Sequence, residues 1–203
     1  MASVDLKQIA VVGGGLAGTA AAHGLVSHGH QVVHFDKRLP GAASQVAAGM
    51  FNIITGKQMK LTWRGLELIE LLRDWQTALP EACQQFIHWQ PVVRPFVSHE
   101  ESEAWEVIAK GNDKISTYLR VKGRSAYDLN MNSPFGALEV SAGWVEIGAL
   151  LNALKDTLKR EPLYVQYSSI FTYNELEVKN LSYRCENFDA ILFAEGYRAI
   201  ICN

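Results

Sequence analysis

Apolar residues fall in two rhythms along this chain. Ile9–Val12 is an unbroken apolar run, the pattern of a strand buried on both faces of a parallel sheet. From Gly18 the rhythm changes. Gly18, Ala22, Leu25 and Gly29 recur at spacings of four, three and four, which puts small and apolar groups on one helical face, with Gly29 as the stop. Gln31–Phe35 returns to the strand pattern. Leu66, Ile69, Leu72 and Trp75 then form the stripe of a helix over 62–79, ended by Pro80. Residues 84–98 are aromatics and valines broken by Pro91 and Pro95, which confines such strands to edges or bends. Ser98 and Glu101 have capping-box spacing for a helix over 100–110, closed by Gly111 and Asn112. Residues 118–142 read as short strands and turns, with alternation clearest over 137–140. Gly143 is expected to open a helix whose buried stripe is Ile147, Leu150, Leu151, Leu154 and Leu158, while Lys155, Asp156 and Lys159 face water. Residues 164–183 read as strands around a turn at Asn174 and Glu175. Phe188–Gly196 is an apolar strand running into a glycine turn, an echo of the first strand.

Strand, helix and strand in this order begin an α/β fold, a Rossmann-like domain on a parallel sheet. The turn between the first two elements is Gly13-Gly14-Gly15-Leu16-Ala17-Gly18, which contains G-x-G-x-x-G at Gly13, Gly15 and Gly18. The first glycine permits the tight turn, the second lets a pyrophosphate approach the backbone, and the third lets helix pack on strand. Leu16 and Ala17 open the helix, whose unpaired N–H groups and positive dipole end face that phosphate pair. Asp36 ends the second strand about 20 residues later, where an acid binds both ribose hydroxyls. These features specify a dinucleotide and leave FAD and NAD(P) open.

A hydrophobic content of 48% with 20% charged residues is that of a soluble globular protein. The formal charge of −2 argues against nucleic acid or an anionic membrane as partner. No apolar run approaches the ~20 residues of a membrane span, and the N-terminal apolar stretch lacks the basic flank and cleavage site of a secretory leader. Cys83, Cys185 and Cys202 are odd in number and far apart, which fits a reducing cytoplasm. His28, His30 and His34 have no cysteine or acid to complete a metal set, and the histidines read as scattered surface residues. Lys57, Lys60 and Arg64 read as a solvated basic loop. Gly56-Lys57 does not make a P-loop, because Gln58 stands where Ser or Thr is needed.

After Asp36 and Lys37 comes a small-residue segment, Ala42–Met50, in which Ser44 and Gly49 are the evident functional handles. With Ser44 and Ala47-Ala48-Gly49-Met50 following the Asp36 strand, the chain resembles the glycine oxidase/D-amino-acid oxidase family of flavoproteins. Gly143-Trp144-Val145-Glu146 before an apolar helix, and Phe188–Gly196, resemble it too. The resemblance implies FAD, held by Gly13, Gly15, Leu16, Ala17, Gly18, Asp36 and Lys37, with Ser44, Ala47, Ala48, Gly49, Met50 and Gly196 along the pyrophosphate and flavin. It implies an FAD-binding domain built from residues 1–80 and 143–203. An incomplete α+β substrate domain is inserted between them at 81–142. The implied chemistry is hydride transfer from an amine-bearing carbon of a small amine or amino acid to the flavin, with no catalytic residue assigned. Family members are considerably longer, so the chain reads as their N-terminal part or a shortened relative. If Phe188–Gly196 is a central strand, Ile200 and Ile201 lack partners, and this form is expected to self-associate, to hold FAD loosely and to turn over no amine substrate unaided. Two other readings stand beside this one, an NAD(P)-dependent dehydrogenase and a non-catalytic nucleotide- or flavin-binding module.

Overall fold

The structure, a computed structural model, describes residues 5–37, 40–55, 60–111, 113–123, 133–169 and 171–196. Lys57, Asn112, Ile200, Ile201 and Cys202, singled out above, lie outside these residues. In chain order the elements are β1 (Gln8–Val12), α1 (Leu16–Ser27), β2 (Gln31–Phe35), the single turn α2 (Ala43–Val46), β3 (Met50–Asn52), β4 (Ile54–Thr55) and β5 (Lys60–Leu61). Then come α3 (Gly65–Ala78), α4 (Glu81–Gln84), β6 (Ile87–Trp89), β7 (Val92–Pro95), α5 (His99–Gly111), α6 (Asp113–Ser116) and β8 (Leu119–Lys122). β9 (Ala137–Val140), β10 (Ala142–Val145), α7 (Ile147–Leu158), β11 (Tyr164–Tyr167), β12 (Leu176–Glu177), β13 (Ser182–Tyr183), β14 (Glu186–Asn187) and β15 (Ala190–Phe193) complete the series.

The chain divides into two compact units, residues 1–47 with 146–203, and residues 48–145. The second unit therefore starts at Ala48, and residues 48–80, expected with the first, belong to it.

The first unit is built on a parallel sheet in the order β11-β2-β1-β15. Alternation sorts its side chains into two cores. Val11, Val32 and Tyr164 pack with Ala22 and Val26 of α1 and Leu158 of α7. Ala10, Val12, Val33 and Phe35 pack with Phe171, Tyr183 and Phe188, beside the small antiparallel sheet β12-β13-β14. The buried stripe of α1 is Gly18, Thr19, Ala22 and Val26, one residue round from the expected face, and the helix ends just before Gly29 at φ +84°. β15 pairs with β1 as the echo in sequence implied, but it stands at the edge of the described sheet rather than in its centre.

The second unit contains the sheets β3-β10-β6, β4-β5 and β7-β9-β8. Its core gathers Ile53, Ile54, Ile69, Phe96, Trp105, Leu119, Leu138 and Val140. The capping box is present at α5: Ser98 Oγ accepts from Glu101 N at 3.2 Å, and the Glu101 carboxylate reaches back to Val97 N at 2.8 Å. Pro95 sits at the end of β7, the outer strand of its sheet, where no ladder donor is missed. Gly143 does not open a helix. It lies in β10 between β3 and β6, where a Cβ would meet His88 O at 2.0 Å and the Phe51 ring at 2.6 Å. The glycine is there for close strand packing, and α7 starts at Ile147. All five tryptophans (Trp63, Trp75, Trp89, Trp105 and Trp144) belong to this unit.

Candidate functional site

β1 ends at Val12, and the chain turns through Gly13 at φ +107°, where a side chain would be strained. A Cβ there would also meet the Ala194 carbonyl oxygen at 2.4 Å, so the turn rests on the segment that follows β15. At Gly18 a Cβ would stand 1.8 Å from Gly13 O and 3.3 Å from the Ala194 methyl. Only glycine lets α1 settle onto the turn.

The carbonyls of this loop all turn to one side. Gly13 O accepts from His34 Nε2 at 3.0 Å, Gly14 O from Thr19 Oγ1 at 3.3 Å, and Gly15 O from Thr19 N at 3.0 Å. In a trans peptide the N–H points away from the C=O, so the amides of Gly14, Gly15 and Leu16 face the opposite side. Leu16 N meets Ser44 Oγ there at 3.0 Å. The first turn of α1 carries no acidic side chain to compete with an incoming anion. A row of outward amides at the positive end of a helix is a seat for phosphate. A Cβ at Gly15 would meet Ser44 Oγ at 3.1 Å, so Gly15 and Ser44 share the rim of the seat.

Asp36 follows β2, its N–H held by Tyr167 O at 3.0 Å. Its carboxylate lies over the loop, where a Cβ on Gly14 would fall 2.0 Å from Oδ2. The same oxygen accepts from Lys155 Nζ at 2.9 Å, with the two side chains only 11% and 13% exposed. Lys155, expected in water, is thus the buried cation of the site. The signal was its spacing, since Lys155 stands four after Leu151 and three before Leu158, on the apolar stripe of α7.

His34 is fully buried, which corrects its assignment to the surface. It faces the α1 and α7 side of the sheet with Val32, and Nδ1 lies 2.8 Å from the Tyr164 hydroxyl. Burial pulls its pKa below the usual 6.5, and Lys155 acts in the same direction, while the bond to Gly13 and the charge of Asp36 oppose the shift. A histidine inside a strand otherwise made of Val32, Val33 and Phe35 was the visible cue.

Gly13, Gly15, Leu16, Ala17, Gly18, Asp36 and Ser44 thus come together in the first unit. Lys37 follows Asp36 as an exposed residue, Ala47 closes α2, and Gly196 lies two residues beyond Ala194 at φ +64°. Ala48, Gly49 and Met50 open the second unit. There Gly49 O accepts from Val145 N at 3.0 Å and Met50 pairs with Trp144. Arg64, one of the expected basic trio, is engaged by Glu67 at the start of α3.

The family model described as FAD dependent oxidoreductase matches residues 8–169, most of the chain. The chain belongs to this family. Its cofactor is FAD, which decides between the two dinucleotides left open by the glycine motif. No curated protein matches. Among solved structures, the chain is similar to glycine oxidase from Bacillus cereus ATCC 14579 (18% identity, TM-score 0.65, covering 94% of this chain and 55% of that one). It is also similar to glycine oxidase from Geobacillus kaustophilus (19%, 0.67, 94% and 56%). L-amino acid deaminase from Proteus myxofaciens, in complex with anthranilate, shares the fold as well (15%, 0.70, 98% and 47%). The chain spans about half the length of the structures it matches. The outward amides, and the absence of a side chain on Gly14 and Gly15, fit the pyrophosphate of the family's FAD. No helix among the described residues is long and apolar enough to cross a membrane.

Proposed function

We propose that this chain is the FAD-holding part of an enzyme that oxidises a small amine or amino acid, the flavin taking a hydride from the amine-bearing carbon. The observation that carries the reading is the loop from Gly13 to Leu16, whose carbonyls are all bonded on one side so that its amides face the other. In this reading Gly13, Gly15, Leu16, Ala17 and Gly18 hold the pyrophosphate, and Asp36, with Lys37 beside it, holds the adenosine ribose. Ser44, Ala47 and Gly196 of the same unit line the remainder of the cofactor. The first unit is the cofactor unit, and residues 48–145 contribute to the substrate side. The fold shared with glycine oxidases and an L-amino acid deaminase supports the substrate class. The thiols of Cys83 and Cys185 support a reducing compartment such as the cytoplasm.

The test is spectroscopic. The purified chain, reconstituted with FAD, should show bound-flavin absorbance. A chain that retains no flavin refutes the cofactor assignment. Bleaching of that flavin by anaerobic glycine, D-alanine or L-alanine would support the substrate class.

A further inference from the structure

His34 and Tyr164 are buried polar residues that the proposed chemistry does not use, and together they touch the phosphate loop from behind. We propose that His34 is a positioning residue for the cofactor's pyrophosphate, acting through the Gly13–Gly14 peptide, and that the Tyr164 hydroxyl holds the ring in place through Nδ1. This inference rests on the FAD reading of the loop.

Proton bookkeeping fixes the direction of each bond. Gly13 O is a carbonyl and can only accept, so the proton sits on His34 Nε2, 3.0 Å away. Nδ1 of the neutral ring is then an acceptor and takes the Tyr164 hydroxyl proton at 2.8 Å. The ring belongs to β2 and the hydroxyl to β11, adjacent strands of one parallel sheet, so the relay is mounted on rigid elements. Asp36 and Lys155 are the charged groups that act on the ring, with opposite effects, and the pair leaves it neutral in the field of a bonded ion pair.

What the relay fixes is a peptide plane. Glycines on both sides of the Gly13–Gly14 bond leave that plane free to rotate. Turning it would swing Gly13 O toward the pyrophosphate and the Gly14 N–H inward, replacing an attractive group with a repulsive one. His34 Nε2 holds the carbonyl inward. Thr19 does the same for the next two carbonyls through Oγ1 and N–H. Gly13 lies at the other end of the loop from Thr19, and among the described residues His34 supplies the side-chain donor to its carbonyl.

The experiment compares binding of FAD, ADP and adenosine to the parent chain, His34→Leu, His34→Gln and Tyr164→Phe. ADP carries the pyrophosphate and adenosine does not. His34→Leu removes the donor and should weaken FAD and ADP about tenfold, the worth of one hydrogen bond, while leaving adenosine unchanged. His34→Gln keeps an N–H at a similar reach and should recover most of the loss. Tyr164→Phe keeps the packed ring but removes the hydroxyl that holds Nδ1, and should reproduce the ADP-selective loss in part. It also carries the test if His34→Leu does not fold. Equal losses for ADP and adenosine, or no loss in either folded variant, overturn the proposal. A parent chain that binds neither FAD nor ADP overturns the cofactor reading first and this inference with it.

Discussion

Replacing Lys155 by Met isolates the buried ion pair. At 2.9 Å the attraction between Nζ and Asp36 Oδ2 is about 6 kcal/mol with an effective dielectric of 20, most of it offset by the desolvation of both ions. The pair as a whole therefore adds little to stability, whereas half of it is a liability. Loss of the lysine takes the Nζ donor from a carboxylate that is only 11% exposed. Breaking a fully buried pair costs about 3–5 kcal/mol, and the residual exposure places this one near 3 kcal/mol. Lys155→Met combined with Asp36→Asn should return to within about 1 kcal/mol of the parent, because the carboxylate charge is removed together with the lysine charge. Urea unfolding followed by far-UV circular dichroism measures the cost. With slopes of about 1–3 kcal/mol per molar urea, the single variant should lose at least about 1 M in midpoint. Every tryptophan belongs to the second unit, so tryptophan emission reports the unfolding of that unit separately. A single variant within about 0.5 kcal/mol of the parent would show that water already serves Asp36. A double variant as damaged as the single would show that packing of the lysine stem, not charge, was lost.

Two further outcomes follow from the same unit. Gly24 is a mid-helix residue of α1 with nothing within 4 Å of a Cβ, so Gly24→Ala should stabilise by about 0.5–1 kcal/mol. Gly18→Ala, on the same helix, drives a methyl to 1.8 Å from Gly13 O and should destabilise and release FAD; thermal unfolding of the two variants must move in opposite directions. The second outcome is acid sensitivity. Burial lowers the folded pKa of His34 below 6.5, and that of half-buried His23 likewise, with Glu161 opposing the latter. The unfolded chain then binds more protons. Stability should be level above about pH 6.5 and fall as the pH drops from there toward the folded values, by up to about 1.4 kcal/mol per pH unit for each histidine. His34→Gln should flatten that decline, and a stability profile that is flat from pH 7.5 to 5 in the parent would contradict it.

The elements read correctly from sequence are those whose cause is local. β1, α1 and β2 announce themselves through a run, a spacing and a run, and Gly13 and Gly18 occupy the places that a strand–turn–helix demands. Ser98 and Glu101 cap α5 because a cap is a contact between near neighbours. The failures are non-local. Gly143 looks like a helix opener until Phe51 and His88 from two other strands press on it. The boundary at Ala48 follows from β3 pairing with β10, an event nearly a hundred residues apart in the chain. Lys155 and His34 were visible as polar intruders in apolar patterns. Their partners, Asp36 and Gly13, could be matched to them only once the parallel sheet had set β1, β2 and β11 side by side.

The connectivity of the first unit also governs when it can exist. β1 and β2 emerge from the ribosome early, but their sheet neighbours β15 and β11 come only after the whole of the second unit has been synthesised. The second unit is continuous and can condense first, while β1, with β2 on one side, waits with the edge that β15 will take open to any passing strand. The phosphate loop waits as well, because Gly13 is seated on Ala194, just beyond the last strand to arrive. Nascent chains stalled before Ala190 would thus lack the segment on which Gly13 rests, so flavin capture follows the synthesis of β15.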